Sequence, residues 1–79
     1  MITRVEYEFD ITKFFTAIRD ATGNPGLRAM AAKAGTNTST LSYLERKLHT
    51  PDMKTFLTIC ANLELNPGEY FIRTVWERQ

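Results

Sequence analysis

The sequence predicts an all-α domain, five short helices behind a short extended N-terminal arm at residues 1–9. Two patterns carry this reading: apolar residues recur at helical spacing in successive stretches, and capping residues with glycine or proline separate those stretches. Length sets the scale. With 79 residues the chain makes one small domain, and at this size only about 60–65% of the unfolded surface is buried, so stability is marginal and dimerisation would help.

The arm comes first. Val5, Tyr7 and Phe9 alternate with Glu6 and Glu8, the period of a short strand. A lone strand needs a partner, either its counterpart in a dimer or the C-terminal helix over which it packs. Its glutamates argue against an arm that enters DNA. Asp10 is a good N-cap, and Ile11, Phe14, Phe15 and Ile18 follow as the stripe of an amphipathic helix that runs to about Thr22. Gly23 can end that helix in the left-handed conformation. In the Asn24-Pro25-Gly26 connection, either Asn24 caps the second helix with Pro25 at its first position, or Gly26 caps it with Leu27 following.

Met30, Ala31 and Ala34 face inward on the second helix, and Gly35 suits a corner that needs positive φ. Asn37 caps the third helix. There Leu41 and Leu44 form the apolar face, which leaves Thr38, Ser39, Ser42, Tyr43 and Arg46 outward. Thr50-Pro51-Asp52 opens a fourth helix, with Met53, Phe56, Leu57, Cys60 and Leu63 on its apolar side. Asn66-Pro67-Gly68 opens a fifth, expected over residues 67–77. In that helix Phe71 with Val75 and Ile72 with Trp76 form two i, i+4 pairs about 100° apart. The first pair is expected to close the core. Tyr70, Ile72 and Trp76 are expected to contribute to a two-fold dimer interface; the alternative, which does not exclude it, is that the N-terminal arm covers the second face.

The stretch Leu27 to Lys47, LRAMAAKAGTNTSTLSYLERK, thus reads as helix, tight turn, helix. Its spacing of Met30-Ala31, Ala34-Gly35, Leu41 and Leu44-Glu45 resembles the helix-turn-helix of the Cro and lambda-type phage repressor family (XRE type). The resemblance implies a compact lambda-repressor-like domain and a sequence-specific transcriptional regulator. That regulator would be a phage or plasmid-type repressor, binding a palindromic double-stranded DNA operator as a homodimer through a recognition helix that starts at Thr38. Base contacts are placed chiefly on Thr38, Ser39 and Tyr43, with Asn37, Ser42 and Arg46 completing the exposed reading surface. Phosphate contacts fall to Arg28, Lys47 and His49, helped by the first amides of the second helix. The family's acidic residue on the recognition helix commonly pairs with an arginine of the first helix, which implies a structural ion pair between Arg19 and Glu45. Three departures stand out: leucine at position 27 where glutamine often clamps the backbone, lysine at position 47 where glycine is common, and a connection before the second helix one residue longer than usual.

Charge and composition narrow the alternatives. The formal net charge is only +1. Between residues 21 and 54, however, Arg28, Lys33, Arg46, Lys47 and Lys54 outweigh Glu45 and Asp52 by three charges, so the positive charge lies with the reading unit. Lys33 is read as an ordinary solvated lysine. A lone cysteine, Cys60, cannot form an internal disulfide and is read as a small buried hydrophobe. With only His49 beside it there is no zinc-ligand set, so no metal and no cofactor is expected. No small-molecule ligand is evident. No apolar run approaches a membrane span and the N-terminus lacks signal-peptide order, so a cytoplasmic protein is expected. His49, Cys60 and the scattered acids show no nucleophile–base spacing, which argues against an enzyme. The alternative function is a protein–protein interaction module of the same fold, an anti-repressor or antitoxin.

Overall fold

A computed structural model describes residues 2–77. Strand β1 (Ile2–Phe9) leads into helices α1 (Ile11–Thr22), α2 (Leu27–Ala34), α3 (Thr38–Glu45) and α4 (Met53–Leu63), followed by a 3-10 turn (Pro67–Glu69) and strand β2 (Phe71–Glu77). The four helices form as expected, for the expected local reasons. Asp10, Asn37 and Asp52 each cap a helix by accepting a backbone N–H three residues on, at 3.1, 2.8 and 2.7 Å. Gly23 and Gly35 end α1 and α2 in the left-handed region. Of the two possible starts for α2, the backbone takes Gly26 as the cap.

The core lies where α1 to α4 meet. Phe14, Ile18, Leu41, Leu44, Ile59 and Cys60 are fully enclosed, with Met30, Ala31, Ala34 and Phe56 beside them. A buried hydroxyl is accounted for locally, since Thr22 donates back to the Ile18 carbonyl at 2.8 Å.

The all-α, five-helix expectation is overturned at the C-terminal segment, whereas the short strand expected at the N-terminus forms. No helix forms over residues 67–77. After one 3-10 turn the chain extends, and β2 pairs antiparallel with β1, with Val5 opposite Val75, Tyr7 opposite Arg73 and Phe9 opposite Phe71. The molecule is therefore an α+β domain. The physical reason lies in both strands. Phe71-Ile72-Arg73-Thr74-Val75-Trp76 is rich in β-branched and aromatic residues, which suit a pleated surface better than a helix. Strand β1, for its part, carries a row of backbone donors and acceptors that an antiparallel partner satisfies. The C-terminal helix offered as one partner for β1 does not form, and the strand pairs with β2 of its own chain.

The ribbon is anchored at its base alone. The Asp10 amide donates to the Tyr70 carbonyl at 2.8 Å. Phe9 meets Phe14, Phe56 and Phe71 edge to face, at centroid distances of 5.4, 5.4 and 5.7 Å. Tyr70 is buried against Phe14 and Phe56, so it belongs to the core and not to a dimer surface. Phe71 and Val75 do not close the core as a helical pair; Phe71 caps the aromatic base while Val75 sits out on the ribbon. Beyond that base the ribbon stands away from the helices. The described residues span 50 × 23 × 21 Å, with a radius of gyration of 14.5 Å, against about 12 Å for a compact chain of this length.

Candidate nucleic-acid interface

Helix α3 positions the candidate readers by periodicity. At about 100° per residue, Leu41 and Leu44 point one way and Thr38, Ser39, Ser42, Tyr43 and Arg46 spread over about 140° of the opposite side. Leu41 and Leu44 are fully buried, whereas Thr38, Ser39, Tyr43 and Arg46 are exposed and Ser42 is half-buried. Those five side chains together line a shallow open groove of about 280 Å³. Asn37 stands apart from them: its side-chain oxygen accepts from both the amide and the hydroxyl of Thr40, at 2.8 and 3.0 Å. Its acceptor is committed to capping α3, which leaves only its amide nitrogen for any outside contact.

The turn into α3 is held by a residue that sequence reasoning missed. Asn62 of α4 donates its side-chain amide to the Ala34 carbonyl at 2.9 Å, satisfying one of the unpaired carbonyls at the end of α2. Gly35 has φ +75°, and a β-carbon there would collide with that same Asn62 amide nitrogen. The conformation requires glycine, and a side chain there would push the Asn62 amide off the Ala34 carbonyl. The signal for Asn62 was faint, a lone asparagine 28 residues from its acceptor.

At the far end of α3, Arg46 is the C-cap and Lys47 lies in the left-handed region at φ +58°. That is the conformation for which glycine is the usual residue. The Leu48 amide closes the turn on the Tyr43 carbonyl at 2.9 Å. His49 then returns to pack edge to face on Tyr43, with centroids 5.0 Å apart, and the two rings help line a second pocket of about 180 Å³ shared with Thr40 and Asp52. The structure therefore joins His49 to α3 through Tyr43.

Arg28 is exposed on the first turn of α2, whose cap, Gly26, has no side chain to engage the first amides. Leu27 is half-buried and packs on the core, a fold-making contact in place of a backbone clamp. Lys33 is not simply solvated: its ammonium donates to the Thr22 carbonyl at 3.1 Å, closing the C-terminal end of α1 with a positive charge. The expected ion pair between Arg19 and Glu45 does not form. Arg19 instead lays its guanidinium 5.6 Å from the centre of the Phe15 ring, and Glu45 is exposed. A solvated carboxylate loses little without a cation, so nothing draws Arg19 across to it. Among the described residues the ion pair that does form is on the ribbon, Arg4 Nε with Glu6 Oε1 at 2.8 Å.

No protein-family model matches the chain, and neither the curated proteins nor the solved structures contain a significant match. The functional argument therefore rests on geometry. Among the described residues no cluster of His, Cys, Asp and Glu could hold a metal ion, and no helix is long and apolar enough to cross a membrane. Burial pushes the Cys60 thiol above its ordinary range, the opposite of what an activated nucleophile needs.

Proposed function

We propose that this protein is a sequence-specific, double-stranded DNA-binding regulator that acts as a pair of subunits on a palindromic site. One observation carries the reading: Thr38, Ser39, Ser42, Tyr43 and Arg46 line one open groove on the outer face of a helix whose inner face is locked into the core. A short, rigid, polar helix presented in this way fits the major groove, where base edges offer donors and acceptors. Thr38, Ser39 and Ser42 supply short hydroxyl contacts and the Thr38 methyl suits a thymine methyl, while Tyr43 and Arg46 have the reach for a base edge or a flanking phosphate. Arg28, Lys47 and His49 flank the helix as backbone contacts. Occupying a promoter would make the protein a repressor.

Selection of bound DNA from a random pool tests this directly. An enriched palindrome is expected, with half-sites about 34 Å apart centre to centre, and Ser39→Ala or Tyr43→Ala should change the preferred bases. Failure to enrich any sequence would overturn the reading. The exposed ribbon, with Tyr7, Ile72 and Trp76 open to solvent, favours one second reading, an interaction module whose target is another protein. Such a module would show no salt-dependent retention on DNA.

A further inference from the structure

Tyr43 is a wall shared by two cavities. On one side it lines the open groove with Thr38, Ser39, Ser42 and Arg46; on the other it lines the pocket of about 180 Å³ with Thr40, His49, Asp52 and Thr55. A helical tyrosine has two open χ1 wells, at about 180° and about −60°, so a ring that is 41% exposed and left free would divide itself between them. Tyr43 is not left free. The His49 ring meets it edge to face, with centroids 5.0 Å apart and planes at 89°. His49 in turn sits on a short loop tied at both ends. Before it, the Lys47 amide donates to the Leu44 carbonyl at 3.1 Å and the Leu48 amide to the Tyr43 carbonyl at 2.9 Å. After it, Pro51 fixes its own φ and Asp52 caps α4 through the Thr55 amide at 2.7 Å.

We propose that His49 is a positioning residue for sequence reading: by holding the Tyr43 ring in one rotamer, it fixes where the phenol stands in the groove and so which base Tyr43 prefers. A change of χ1 moves the Tyr43 hydroxyl farther than that of any serine or threonine beside it, so the direction of this side chain matters most. An edge-to-face pair shifts such a rotamer balance by about 2- to 10-fold. The role needs a ring at position 49 and not a charge, which separates it from any contact of His49 with a phosphate. His49 is exposed, so replacing it leaves the core intact. The role rests on the proposed function for what Tyr43 reads, whereas the hold on the ring involves no DNA.

Two variants part ring from charge: His49→Phe offers a ring and no charge, His49→Lys a charge and no ring. In the free protein, three-bond NMR couplings report the χ1 populations of Tyr43. One rotamer should dominate in the wild type and in His49→Phe, and the minor one should rise by about 2- to 10-fold in His49→Ala and His49→Lys. In DNA selected from a random pool, His49→Phe should keep the wild-type base preference even where its affinity is lower. His49→Lys should relax the preference at the bases that Tyr43→Ala also relaxes, and in a Tyr43→Ala background neither variant should change it further. Tyr43 populations unmoved in His49→Ala overturn the proposal, as does a base preference kept by His49→Lys and lost by His49→Phe. If no sequence is enriched at all, the regulator falls and with it what Tyr43 reads, while the couplings still decide whether His49 holds the ring.

Discussion

At residue scale, single positions carry more of the architecture than their chemistry suggests. Gly35→Ala would force a left-handed alanine against Asn62, at a cost of about 1–2 kcal/mol for the backbone alone; thermal denaturation should show a fall in Tm of several degrees. Lys47→Gly relaxes the same kind of strain. It should leave Tm level or raised while weakening DNA retention, a separation that a purely structural lysine would not give. Arg19→Ala loses a cation–ring contact worth about 0.5–1 kcal/mol, well below the cost of breaking a buried ion pair, and its Tm should shift by only a few degrees. The Asp52 carboxyl is held below the usual carboxylate range because it accepts the Thr55 amide and hydroxyl. A depressed folded pKa means that its stabilising effect is present above the unfolded pKa and is lost as pH falls through the folded value. The Tm difference between the wild type and Asp52→Ala should therefore shrink as pH is lowered into the carboxylate range.

At element scale, local signals and long-range pairing divide the chain between them. Helices α1 to α4 were legible because their caps and glycines lie within a few residues of the backbone groups they satisfy. Asn37, Asp52, Gly23 and Gly35 each act within one turn. The last segment was misread because Phe71 with Val75 and Ile72 with Trp76 fit a helical spacing, while the same residues fit a strand once a partner is present. That partner lies some 65 residues earlier and shows only the period-two pattern from Val5 to Phe9. The aromatic base should decide whether the two strands hold together. Phe9→Ala removes the ring that links α1, α4 and β2, and a loss of about 3 kcal/mol is expected, with the ribbon's amide protection against hydrogen exchange falling more than that of the helices.

At the scale of the whole molecule, the protein joins a helical body that presents one polar helix to a ribbon that reaches away from it. The proposed DNA contact involves few formal charges. Arg28 and Lys47 from two subunits give about four phosphate contacts, so the logarithm of affinity should fall against the logarithm of salt with a slope of about −3 to −4. A filter-binding series at rising salt checks this. The core is sealed around Cys60, so a thiol reagent should leave that residue untouched in the native protein and titrate it fully in denaturant.

Taken alone, the sequence determined what depends on neighbours in the chain: four helices, the caps at Asp10 and Asn37, the corner at Gly35 and the division of α3 into a buried leucine face and an outward row of Thr38, Ser39, Ser42, Tyr43 and Arg46. The tertiary structure decided what depends on residues far apart meeting in space. It paired β1 with β2, drew Tyr70 into the core, set Asn62 on the Ala34 carbonyl, closed α1 with Lys33 and left Arg19 on Phe15 instead of Glu45. Helix periodicity and capping are written into short windows of sequence, whereas strand pairing and side-chain contacts across the core depend on the geometry of the whole chain.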